Sequence, residues 1–80
     1  MIILILVITF MNPDKAPVAY FKYPTVEFIV KSEEEAIGIL KREQYKLSED
    51  GKAIQWAKGK LFIIDLHKKI ITEKEIRGIL

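Results

Sequence analysis

The chain contains no cysteine, which removes disulfide staples, thiolate metal sites and cysteine nucleophiles together. One histidine, His67, is too few for an imidazole-built zinc site. Proline and glycine total seven of 80 residues, below what a disordered or low-complexity chain carries. There is no Gly-rich phosphate loop. Two Gln and one Asn stand against 11 Lys, 8 Glu and 14 Ile, a balance that leans toward thermophile proteins.

What is present is half apolar and 30% charged, the profile of a globular chain. Eighty residues make one domain, 1–80, and a domain of that size buries only about 60 to 65% of its unfolded surface. The formal net charge is +2 but unevenly placed. Residues 27–51 carry four positive and seven negative side chains, and residues 52–69 five positive and one negative. Such asymmetry fits a solvated exterior, a nucleic-acid surface or head-to-tail self-association.

The amino-terminal stretch "MIILILVITFM" has no charge and ends at Asn12-Pro13-Asp14. It is about half the length a membrane-spanning helix needs. No Lys or Arg precedes it, so a secretory signal is not expected and a cytoplasmic chain is. Six of residues 2–9 are β-branched, which favours a strand over a helix. Odd and even positions are both apolar, so the strand calls for cover on both faces.

Residues 18–31 alternate as strand, interrupted by Pro24, and form either two short strands or one bent edge strand. "SEEEAIGILKREQ" starts with the Ser32/Glu35 spacing of a capping box and predicts a helix over 33–44, with Gly38 hinting at close approach by another backbone. Residues 45–67 read as a meander: "YKLS", a turn at Glu49-Asp50-Gly51, "KAIQWA", a turn at Lys58-Gly59, and "KLFIIDLH". The closing "TEKEIRGIL" repeats the capping spacing at Thr72 and Glu75 and predicts a short terminal helix.

Two constellations invite chemistry. Asp65 and His67, two apart on an expected strand, would point to one side as an acid-base pair, but nothing completes a catalytic or metal set. They read as a polar pair where the strand leaves the core. Trp56 with Lys46, Lys52, Lys58 and Lys60 would make a basic hairpin on which bases stack and phosphates are neutralised. Only two arginines are present, so such binding would be weakly sequence-specific. "WAKGKL" resembles the Trp-x-x-Gly-Lys hairpin of small archaeal chromatin proteins, which implies a barrel with a C-terminal helix and non-specific DNA contact through Trp56. It also resembles the Trp-x-x-x-Gly-Lys-Leu ending of excisionase-type winged-helix domains, with one residue fewer, which implies helix over 49–58. Each resemblance covers about six residues, and no family is assigned on it.

The expectation is an α+β domain whose mostly antiparallel sheet has five to six strands, with two short helices on one face. Its function is expected to be that of a non-catalytic interaction module acting as a homodimer or higher homo-oligomer, with Ile2, Ile3, Leu4, Ile5, Leu6, Val7, Ile8 and Phe10 in the interface. The alternative cover for that strand is an intramolecular sandwich or barrel. The alternative function is weakly specific DNA or RNA binding. No cofactor, metal, membrane span or small-molecule substrate is expected.

Overall fold

The computed structural model describes residues 1–10, 25–47 and 57–79. In chain order these form β1 (Ile2–Phe10), β2 (Thr25–Val30), α1 (Glu33–Leu47), β3 (Ala57–Asp65) and β4 (Ile70–Ile76). The strands make one antiparallel sheet in the order β2-β1-β3-β4. The β-branched amino-terminal run is therefore a central strand. It pairs with β2 from Leu4↔Val30 to Thr9↔Thr25 and with β3 from Ile2↔Asp65 to Phe10↔Ala57.

Alternation along β1 divides its side chains between two environments. Leu6 and Ile8 are fully enclosed, and with Val30, Ala57, Leu61 and Ile76 they meet Ala36 and Leu40 of α1. That is the core, and it lies wholly between the helix and one face of the sheet. Leu4, Phe10, Val26, Phe28 and Ile63 pack around it. Ile3, Ile5 and Val7 point to the other face.

The helix starts where the capping spacing placed it. The Glu35 amide donates to Ser32 Oγ at 3.1 Å, and the Glu35 carboxylate reaches back to the Lys31 amide at 2.9 Å. Three glutamates in its first turn complement the positive end of the helix. Its seat on the sheet is at Gly59, where a Cβ would come within 2.8 Å of Leu40 Cδ2 and 3.1 Å of Ile76 Cγ1. The helix's own glycine does not serve that purpose: Gly38 is exposed, and a Cβ there would meet nothing within 4 Å.

Gln44 closes the far end. Buried to 3% exposure, its Nε2 donates to the Ala57 carbonyl at 3.0 Å, and its Oε1 accepts from the Ile79 amide at 2.8 Å. One side chain thus ties α1 to the start of β3 and to the segment after β4. Gly78 lets that segment pass, because a Cβ there would collide with the Gln44 carbonyl.

The expected sheet of five to six strands with two helices is corrected to four strands and one helix among the described residues. Tyr45 to Leu47, expected to open a strand, are the last turn of α1. No breaker lies before them, and continuing the helix costs less than nucleating a two- or three-residue strand. Lys58 and Gly59, expected as a hairpin tip, lie inside β3, opposite Thr9 and Ile8. The expected terminal helix is instead β4. Eight residues make a marginal helix, whereas a strand there satisfies the open edge of β3 over seven cross-strand pairs, Gly59↔Ile76 to Asp65↔Ile70. The Asp50-Gly51 turn, the "KAIQWA" strand apart from Ala57, and the question of Pro24 lie outside the described residues.

Candidate interaction surface

The face of the sheet turned away from α1 is laid out by the pairing registers. One row runs Ile3, Ile64, Ile71; the next runs Ile29, Ile5, Phe62, Glu73; the third runs Glu27, Val7, Lys60, Glu75. Seven apolar side chains thus form one contiguous patch across four strands. Ile29 is 80% exposed and Ile71 68%, and Ile3, Ile5, Val7, Phe62 and Ile64 are half-buried. Among the described residues, no element packs on this face.

Of the residues expected in an interface, the structure separates two groups. Leu6 and Ile8 are fully enclosed beneath α1 and offer nothing to a partner, and Leu4 and Phe10 pack against the same core. Ile3, Ile5 and Val7 face away from the helix, and Ile2 is exposed near the end of the sheet. Sequence reasoning missed Ile29, Phe62, Ile64 and Ile71. Apolar residues occupy both parities there, so which of them face away from the helix required the register.

The basic set is described only in part. Lys46 lies in the last turn of α1, and Lys52 and Trp56 are outside the described residues. Lys58 and Lys60 share the open face, on a continuous strand in place of a hairpin tip. Lys60 Nζ is 3.4 Å from Glu73 Oε1 and lies across the ladder from Glu75. With Glu27 in the same row, the lower half of that face is not a cationic platform.

Asp65 and His67 also separate. β3 ends at Asp65, and residues 66–69 form the turn into β4. Asp65 Oδ1 accepts from the amides of His67 and Lys68, both at 3.0 Å, so the carboxylate caps the turn and does not face the imidazole as a partner. Among the described residues there is no group of three or more His, Cys, Asp or Glu that could hold a metal. No described helix is long and apolar enough to cross a membrane.

An open groove of about 660 Å³ lies at the Ala57 end, lined by Thr9, Gln44, Lys58, Gly59, Glu75 and Arg77. Gln44 uses both its donor and its acceptor within the protein, so the groove's one buried polar side chain is not left over for a ligand. The geometry therefore offers surfaces for contact and no assembled set of reacting groups among the described residues. No protein-family model matches the chain, and neither the curated proteins nor the solved structures contain a significant match to it.

Proposed function

We propose that the chain is a non-catalytic interaction module that works as a homo-oligomer, with the helix-free face of the sheet meeting a second copy. The observation that supports this most is the row pattern: Ile3, Ile5 and Val7 on the central strand are flanked by Ile29, Phe62 and Ile64, with no cover from the described elements. Contiguous apolar patches beyond a few hundred Å² on a small protein mark contact sites. The driving force is removal of hydrocarbon from water at roughly 25 cal/mol per Å², which salt does not screen. A self-complementary patch of this kind suits an isologous twofold contact, the commonest symmetry of oligomers.

Sedimentation velocity at micromolar concentration tests it. The expected mass is at least twice 9.3 kDa in both about 50 mM and about 1 M salt. Ile29→Lys, at a position already exposed in the protomer, is expected to return the chain to a monomer with unchanged circular dichroism. A wild-type chain that stays at 9.3 kDa throughout overturns the proposal. Association that needs added DNA or RNA and disappears with salt assigns the chain to nucleic-acid binding instead.

A further inference from the structure

The end of the sheet opposite the Phe10 end carries a second, chemically different surface. Of the seven large apolar side chains most exposed in the structure, five collect there: Met1, Ile2, Leu66, Ile70 and Ile71. The ladder holds them together. Ile2 and Ile70 are the two cross-strand partners of Asp65, and the Leu66 amide donates to the Met1 carbonyl at 3.0 Å. They wrap the end on both faces, so no single packed layer could cover them.

Cations sit among them. The turn reads Leu66-His67-Lys68-Lys69-Ile70-Ile71, with both lysines exposed and without an ion pair to any described residue. Lys31, exposed, follows Val30, the partner of Leu4. Of the acids nearby, three are engaged and Glu34 is exposed on the first turn of α1. Asp65 caps the turn, Glu33 pairs with Lys74 at 2.8 Å, and Glu35 accepts from the Lys31 amide.

Residues 11–24 leave β1 at Phe10 and rejoin at Thr25, the partner of Thr9; residues 48–56 leave α1 and rejoin at Ala57, the partner of Phe10. Both excursions are anchored at the far end of the sheet, roughly 26 Å away along a nine-residue strand.

We propose that this hairpin end is a docking tip for an anionic lipid surface, with Met1, Leu66, Ile70 and Ile71 entering the interfacial region and Lys31, Lys68 and Lys69 meeting the headgroups. Exposed hydrocarbon ringed by lysine is the pairing that a negatively charged leaflet rewards twice, by apolar burial and by charge. A second copy is the wrong occupant, because a twofold contact of tips sets Lys68 and Lys69 against themselves. This contact shares only Ile71 with the patch on the helix-free face.

Co-sedimentation of the full chain with vesicles tests it. Binding is expected to vesicles of phosphatidylcholine with roughly 30% phosphatidylserine at about 50 mM salt, and to fall at least tenfold on pure phosphatidylcholine. Lys68→Glu with Lys69→Asn, the Asn chosen because Lys69 has φ 57°, is expected to weaken binding at least tenfold without altering the fold. Leu66→Ser with Ile70→Ser is expected to do the same, while Ile29→Lys, on the edge strand of the helix-free face, keeps vesicle binding. Equal binding by the tip variants and the wild type, or no wild-type binding to the anionic vesicles, overturns the proposal. So does a change in sedimenting mass caused by the tip variants in the absence of lipid, which would make the tip a protein contact.

Discussion

Gln44 does more for this fold than its polarity suggests. Its amide is the one buried polar side chain among the described residues, and its two bonds join three parts of the chain. Replacing it by Leu preserves bulk but strands a buried carbonyl at Ala57 and an amide at Ile79, each costing about 1 to 3 kcal/mol. Gln44→Leu is therefore expected to lower stability in urea unfolding by about 2 kcal/mol or more. Asp65 acts at the other end by holding two turn amides. Asp65→Ala is expected to cost about 1 kcal/mol by the same measurement, and Asp65→Asn, which keeps the acceptor, about half of that or less. A role for Asp65 as an acid-base partner of His67 predicts no such ranking, with Asn as damaging as Ala to any activity.

At the level of elements, the glycine at the helix–sheet contact and the one on the exposed side of α1 behave oppositely. Gly59 makes room for Leu40, so Gly59→Ala pushes α1 off β3 and is expected to destabilise by about 1 to 3 kcal/mol. Gly38 makes room for nothing, and Gly38→Ala is expected to stabilise by about 0.5 to 1 kcal/mol through helix propensity alone. Thermal melts of the two variants, moving in opposite directions, check the pair. Strand β1 and the start of α1 were legible because they rest on local chemistry: β-branched side chains, and a serine three residues before a glutamate. The capping spacing at Thr72 and Glu75 misled for a physical reason. β3 had an edge to fill, a demand that no local pattern announces. The Lys58-Gly59 turn failed similarly: its glycine answers a contact with Leu40, remote in sequence, and not a backbone reversal.

The described residues form a two-layer arrangement, one helix on a four-stranded sheet, which leaves one face of the sheet without a described cover. That β1 is apolar on both sides was readable from its odd and even positions alone; that the helix covers one of them required the structure. If the second cover is another copy, stability and association are linked. The melting temperature is then expected to rise with protein concentration for the wild type and to be flat for Ile29→Lys, a measurement independent of hydrodynamics. The candidate site was less legible than the fold. Trp56 and its lysines caught attention by composition, whereas the open face and the hairpin end are defined by which residues stand side by side across strands.

The central position of β1 also sets an order of events in biosynthesis. Its β2 neighbour follows after residues 11–24, but its β3 neighbour is separated from it by residues 11–56, which include the whole of α1. A nascent chain therefore holds its most water-averse strand with one ladder edge vacant until late in translation, the circumstance in which chaperones are recruited and inclusion bodies begin. Slower translation or lower growth temperature should then favour recovery of native protein over aggregate, and a circular permutant that brings residues 57–65 next to β1 should refold faster than the parent chain.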